Sequence, residues 1–255
     1  MEQKLNKIGL IFSLLTLVVW SAMAQDKKPV AATDRSGTLM IGITGGLSAP
    51  SGNYTKTDYS DPKSGFAGSG TNIGVTGTLF LNKNFGISAL ISYHHYSFNG
   101  LRNLSAGFEK DFFVDSTSGL TNGSNHAVNI LVGPYYSLPL SAKFFIDFRL
   151  LVGISDATLA GWDMINTDGG ITHAAISQKP ANAVTFGAQG GIGLRCNIAD
   201  HWAVMLNGDY FYSKPDFSIT NENRNANTGR KITSYNELIT GVNANLTLCY
   251  LLKHI

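Results

Sequence analysis

The sequence is poor in cysteine, in charged residues and in long apolar runs. Its two cysteines, Cys196 and Cys249, are too few for a disulfide scaffold, and strand parity predicts that they point to opposite faces. Charged residues make up 14% of the chain and the formal net charge is +2, so the composition gives no indication of a nucleic-acid partner. After residue 24, no apolar run approaches the roughly 18 residues that a membrane-spanning helix needs, which excludes a helical membrane protein.

The first 24 residues have the features of a secretory signal peptide. Two lysines precede an apolar run over residues 8–20, and the small residues Ala22 and Ala24 predict cleavage before Gln25. The run is too short to cross the roughly 30 Å hydrocarbon layer as a helix. We therefore expect an exported protein with three parts: a signal peptide at 1–24, a short periplasmic segment at 25–37 and a barrel domain at 38–255.

Eight later segments alternate apolar with polar or small residues. In the fifth, Phe148 and Leu150 share one face, whereas Asp147 and Arg149 share the other. Strand side chains alternate between faces, so each segment has one lipid-compatible side and one polar side. Each segment also has about the 9–11 residues that a tilted strand needs to cross a bilayer. The 28 glycines, with abundant Asn, Ser and Tyr, suit a surface that is half lipid and half water.

The connectors between these segments alternate in length. Three are turn-length, at 82–84, 139–142 and 198–201, and four are long and rich in Gly, Ser, Asn and Asp, at 49–70, 99–125, 156–182 and 214–233. Both chain ends then lie on the short-turn side, which faces the periplasm in such barrels. The pattern predicts an all-β fold, an eight-stranded antiparallel up-and-down transmembrane β-barrel with long extracellular loops. A ten-stranded barrel stays open, because residues 112–114 and 171–176 could add strand above the membrane.

A secreted, soluble barrel with an apolar interior is the main architectural alternative. Aromatic residues favour the membrane barrel, because on the apolar faces they collect near the strand ends, where interfacial girdles flank a lipid band. The polar faces would then line a narrow lumen, in which two aspartates and two arginines can pair. The predicted polar lumen network, with a structural role, consists of Asp147, Arg149, Gln189, Arg195, Asn207, Asp209, Asn243 and Asn245.

The signal peptide, the eight segments and the final strand at 238–252 together resemble the small outer-membrane β-barrel proteins of Gram-negative bacteria, of the OmpX, OmpW and OmpA-transmembrane-domain type. The opening strand, from Leu39 to Gly46, is similar to the first strand of many porin-like proteins. The resemblance covers nearly all of the mature chain. It implies a place in the cell outer membrane with both termini periplasmic. It also implies contact with membrane lipids, lipopolysaccharide and the outer-membrane assembly machinery, and leaves any extracellular partner unknown.

No residue pattern predicts catalysis, a cofactor or a metal centre. His94 and His95 are the most suggestive pair, but adjacent strand residues face opposite sides and cannot easily bind one metal ion together. Four aromatic residues on the long connectors either contact a partner or pack on one another: Phe66, Phe112, Phe113 and Trp162.

We therefore expect a non-enzymatic outer-membrane protein with a structural, surface-interaction or limited small-solute passage role. Two alternatives stay open. One is a carrier that admits small hydrophobic molecules through the loop crown. The other is an outer-membrane lipid-modifying enzyme.

Overall fold

The computed structural model describes residues 35–61, 63–173, 176–223 and 234–252, so the predicted signal peptide lies outside the described residues. Its strands, in chain order, are β1 (Leu39–Ser51), β2 (Ala67–Phe80), β3 (Phe85–Phe98), β4 (Ser116–Asn122), β5 (Asn125–Pro139), β6 (Phe144–Leu159), β7 (Gly161–Asp168), β8 (Ile171–Thr172), β9 (Ile176–Gln178), β10 (Ala181–Asn197), β11 (Trp202–Ser213), β12 (Asp216–Ser218), β13 (Asn221–Asn223), β14 (Ser234–Asn236) and β15 (Ile239–Leu252). One α-helix, α1 (Leu101–Phe112), and a short 3₁₀ helix (Gly52–Thr55) complete the described fold.

Eight of the strands close into a barrel in the order β1-β15-β11-β10-β6-β5-β3-β2, and neighbouring strands run antiparallel. The closing seam pairs β1 with β15, beginning at Leu39 opposite Leu252. The eight-stranded prediction is therefore confirmed, and the ten-stranded alternative is not observed. Among the described residues, no helix is long and apolar enough to span a membrane.

The barrel strands turn their apolar faces outward and their polar faces into the lumen. In β6, Phe148 and Leu150 are 41% and 58% exposed, while Arg149 between them is only 7% exposed. An aliphatic surface of this kind is stable only against hydrocarbon, and a closed barrel leaves no unpaired strand edge in that medium. The soluble-barrel alternative, which required the aliphatic faces to pack inside, is thereby excluded.

The two ends of the barrel differ. Three tight turns, at 81–84, 140–143 and 198–201, join strands at one end, which we call the turn end. The opposite end carries the crown, which consists of α1, β4, β7–β9, β12–β14 and the described connecting residues at that end, including those between β1 and β2. Within the crown, β13, β9, β7 and β4 pair in that order, β8 adds to β7, and β12 pairs with β14.

Part of the crown differs from the sequence-based expectation. Residues 99–125, interpreted as a loop, contain the helix α1 and the strand β4. The expectation that residues 112–114 extend a strand is wrong, because Phe112 ends α1 and Phe113 lies in the left-handed region, with φ at 54°. Ile171 and Ile176 do lie in strands, but these are the short crown strands β8 and β9.

Candidate functional site: the lumen and the crown

The centre of the lumen is held by an ion pair between β6 and β11. The guanidinium of Arg149 donates two parallel hydrogen bonds to the Asp209 carboxylate, from Nε over 2.8 Å and from Nη2 over 2.6 Å. Asn245 donates a third over 3.1 Å. The two charged side chains are 5% and 0% exposed. Because the contact is bidentate and both charges are buried, it fixes the distance between the two strands that carry it.

A glycine makes this pairing geometrically feasible. The strand β10 lies between β6 and β11, and its residue Gly191 stands directly opposite both Arg149 and Asp209. A Cβ atom at this position would overlap the Asp209 carboxylate. The missing side chain therefore lets the two charges meet across the intervening strand.

A second ion pair lies nearer the turn end. Arg195 donates from Nε to Asp147 over 2.7 Å and from Nη2 to the Ser137 hydroxyl over 2.8 Å. Arg35, just before β1, donates to the same hydroxyl over 3.1 Å. Both guanidinium groups lie over the Phe145 ring, at 4.4 Å for Arg195 and 4.5 Å for Arg35. The cations share one aromatic ring and one hydroxyl, so Arg35 ties the segment before the first strand to the barrel interior.

Apolar side chains fill the lumen on either side of the charges. A turn-end cluster consists of Met40, Phe80, Tyr135, Ala203, Met205, Cys249 and Leu251. A crown-end cluster includes Tyr54, Tyr96, Phe211, Phe217 and Ile239. Three leucines, Leu90, Leu131 and Leu151, form a third cluster. An eight-stranded barrel is just wide enough for side chains to fill it, and here they do.

The structure places all eight sequence-predicted lumen residues inside the barrel. They are buried, with exposures between 0% and 7%: Asp147, Arg149, Gln189, Arg195, Asn207, Asp209, Asn243 and Asn245. Asn207 donates to Thr247 over 2.8 Å, and Asn243 accepts from Ser48 over 2.7 Å.

Sequence reasoning missed Ser137 and Arg35. Continuing the strand alternation from Tyr135 by two residues would have placed Ser137 in the lumen. Arg35 precedes the first strand, where no periodicity applies. The two cysteines are free and differ in burial, since Cys249 is buried and Cys196 is only half-buried.

The crown has a hydrophobic core of its own. Leu104 and Phe108, one turn apart on α1, pack against Trp162 and Met164 of β7 and against Phe66. Rings of Phe108 and Trp162 lie 5.4 Å apart between centroids. The apolar residues of α1 recur at helical spacing, and those of β7 are buried alternately. The helix in this long connector therefore packs its apolar face against the crown sheet.

The four predicted contact residues divide between this core and the surface. Phe66 and Trp162 are buried in it, and Phe112 packs on its edge, with its ring 5.9 Å from that of Phe108. Phe113 is 90% exposed and occupies the left-handed backbone region at the end of α1, where a glycine is usual. Of the four, it is the one that the fold leaves available to a partner.

A buried carboxylate in the crown lies near the connector between β1 and β2. The side chain of Glu237 is 0% exposed, and among the described residues no side chain hydrogen-bonds to either of its carboxylate oxygens. Burial raises the pKa of Glu237 to about 8, and the negative charge of Asp61 adds to this rise. The backbone N–H of Leu238 and the nearby Lys56 and Lys63 oppose it. The crown therefore holds Glu237 in its protonated form below that pH.

Comparison with known proteins gives one family and several distant structures. A family model described as the outer membrane protein beta-barrel domain matches residues 12–244. No curated protein matches the chain. Similar solved structures include a major outer membrane protein from Thermus thermophilus, with 10% identity, a TM-score of 0.48 and coverage of 85% of this chain and 99% of that one. Another is OprG from Pseudomonas aeruginosa, with 13% identity, a TM-score of 0.41 and coverage of 87% and 98%.

Proposed function

The chain belongs to the family of outer membrane protein beta-barrel domains, and on this premise we propose that it is a closed membrane anchor presenting a folded crown at the cell surface. One observation carries the proposal, namely that the lumen is filled along its length. Two apolar clusters occupy its ends, and two buried ion pairs cross the space between them. The role is structural and surface-directed rather than the passage of solutes through the lumen.

Passage through the lumen would disrupt these contacts. A polar solute entering from the crown would first meet the crown-end cluster, which buries the rings of Tyr96 and Phe211 at 2% and 1% exposure. It would then have to separate Arg149 from Asp209, and breaking a buried pair of this type costs about 3–5 kcal/mol. Both barriers support a barrel that does not conduct in its resting state.

The same packing bears on the two alternative functions. A carrier of hydrophobic molecules needs an apolar space in the crown, but Phe66 and Trp162 are already covered by the crown's own side chains. An enzyme needs polar groups that are free to react, but the carboxylates of Asp147 and Asp209 are committed to arginines. The first observation counts against the carrier, and the second supports a non-enzymatic role.

We also propose that the turn end and both termini face the periplasm and that the crown faces outward. Short periplasmic turns and longer extracellular connections are the rule in bacterial barrels. In this orientation, lipids contact the apolar band, lipopolysaccharide surrounds its outer edge, and the assembly machinery inserts the barrel. Phe113 would then project from the cell surface toward an extracellular partner.

Single-channel recording in planar bilayers tests the closed lumen, with a porin as the positive control. The wild-type protein should show no steady conductance of small ions. A stable conductance in most insertions would overturn the proposal.

Cysteine labelling in intact cells tests the orientation. In a background with both native cysteines replaced by serine, a membrane-impermeant maleimide should label Phe113→Cys. It should not label Lys83→Cys, in an exposed turn at the other end, until the cells are permeabilised. The reverse pattern would overturn the orientation while leaving the closed lumen untouched.

A further inference from the structure

Two histidines lie opposite each other on the outer surface of the barrel. The register between β3 and β5 is continuous from Phe85 opposite Tyr136 to Tyr96 opposite Asn125, and it places His95 directly opposite His126. Both side chains point outward, His95 being exposed and His126 half-buried. Directly opposed residues of antiparallel strands have their Cβ atoms about 4.5–5.5 Å apart. Two imidazoles at this separation can both reach one metal ion, with metal–nitrogen bonds of about 2.0–2.1 Å.

A hydrogen bond fixes the chemical form of one of these rings. The Nδ1 atom of His126 lies 3.0 Å from the carbonyl oxygen of Ser124. A carbonyl oxygen can only accept, so Nδ1 carries the proton and donates, which leaves Nε2 as the atom with an available lone pair. Metal-binding histidines commonly have this arrangement, in which one ring nitrogen donates to a carbonyl and the other binds the metal.

The position on the barrel keeps the two rings accessible. They belong to a row of polar residues that crosses five neighbouring strands in register: Thr71, His95, His126, Thr158 and Asn182. The next row toward the turn end includes Ile73, Tyr93 and Val128, which are 60%, 40% and 38% exposed on the apolar face. The histidines thus lie at the crown-side edge of the lipid-facing band, where water and polar head groups reach the protein.

From this geometry we infer that His95 and His126 form a two-imidazole binding site for a divalent transition-metal ion such as Cu²⁺, Zn²⁺ or Ni²⁺. Imidazole nitrogen suits these ions, whereas Ca²⁺ and Mg²⁺ prefer oxygen ligands. Among the described residues, no group of three or more His, Cys, Asp or Glu side chains is placed to hold a metal. The remaining coordination positions therefore belong to water or other small ligands, and the bound ion exchanges readily. The site is independent of whether the lumen conducts.

The chain contains a matched control histidine. His201, in a turn at the other end, also donates from Nδ1 to a backbone carbonyl, that of Leu251 over 2.9 Å. Its ring lies 5.7 Å from that of Tyr250, the same separation as between His126 and Tyr93. His201 has the same tautomer and a similar aromatic neighbour, but it lies in a turn rather than opposite a second histidine.

The test is a Cu²⁺ titration of the full-length, tag-free protein in detergent micelles, followed by calorimetry and electron paramagnetic resonance. The wild-type protein should bind one Cu²⁺ at this site with two imidazole nitrogens. Removing a residue that only hydrogen-bonds to a metal ligand commonly weakens metal binding by about 10–100-fold. Because His95→Gln and His126→Gln each remove a ligand itself, either should weaken Cu²⁺ binding at least about tenfold. Either substitution should also reduce the spectrum to a single imidazole nitrogen, while His201→Gln should match the wild-type protein.

All three side chains lie outside the lumen, so each variant should still fold. The heat-dependent migration of each variant in gel electrophoresis checks this separately. An excess of Ca²⁺ or Mg²⁺ should not displace the Cu²⁺. The inference is overturned if folded His95→Gln and His126→Gln bind Cu²⁺ as the wild-type protein does. It is also overturned if His201→Gln causes the same loss as they do.

Discussion

The buried pair of Arg149 and Asp209 is expected to contribute several kcal/mol to the stability of the barrel. Three hydrogen bonds end on the Asp209 carboxylate, two from Arg149 and one from Asn245. Hydrogen bonds to charged groups contribute about 1.5–3 kcal/mol each. Asp209→Asn removes the charge but keeps one acceptor oxygen, so part of the network survives. We expect the free energy of unfolding to fall by about 3 kcal/mol, at the lower end of the range for breaking a buried ion pair.

The measurement is denaturant unfolding of the refolded barrel in micelles, followed by tryptophan fluorescence. Arg149→Met should cost a similar amount, whereas the double variant should cost clearly less than the sum, with a coupling of about 2 kcal/mol. Lys56→Ala, which breaks an exposed ion pair of 3.1 Å in the crown, should leave the stability unchanged. A loss below about 1 kcal/mol for Asp209→Asn, or strictly additive single variants, would refute the role assigned to the pair.

Three further predictions concern the crown and the lumen. Burial in the folded crown raises the pKa of Glu237 from 4.5 to about 8, so the stability of the crown is greatest below pH 4.5 and falls as the pH rises through 8. Limited proteolysis across that pH range should show this fall in the wild-type protein and not in Glu237→Gln. Gly191→Ala should destabilise the barrel by about 1–3 kcal/mol because its Cβ meets Asp209, whereas Gly77→Ala, whose Cβ meets nothing within 4 Å, should not. Phe113→Gly should stabilise the crown by about 1 kcal/mol in thermal unfolding, because glycine adopts the left-handed backbone without strain; an unchanged or lower stability would contradict the assigned strain.

The barrel was predictable because each of its strands carries the signal locally. The alternation of Phe148, Arg149 and Leu150 shows which side of the strand faces lipid and which faces the lumen, without any knowledge of the neighbouring strands. The choice of ion-pair partners was not predictable in this way. Two aspartates and two arginines could pair in two ways, and the choice depends on the register that brings Gly191 opposite Arg149 and Asp209.

The crown was predicted less well, although part of its signal was present. Leu101, Leu104, Phe108 and Phe112 are spaced by three, four and four residues, which is the periodicity of an amphipathic helix. Surrounding Gly, Ser and Asn residues favoured a loop interpretation and hid this pattern. The burial of Glu237 could not have been inferred at all, because it depends on segments that meet only in the folded crown.

The seam between β1 and β15 has a consequence for biogenesis. Its two strands stand at opposite ends of the described chain, so the cylinder cannot close until the last strand has been delivered. Until then, two rows of unpaired amide and carbonyl groups face a medium that offers them no hydrogen bonds. Closure of the barrel therefore requires the polypeptide through β15. A chain truncated before β15 has no stable folded form in the bilayer.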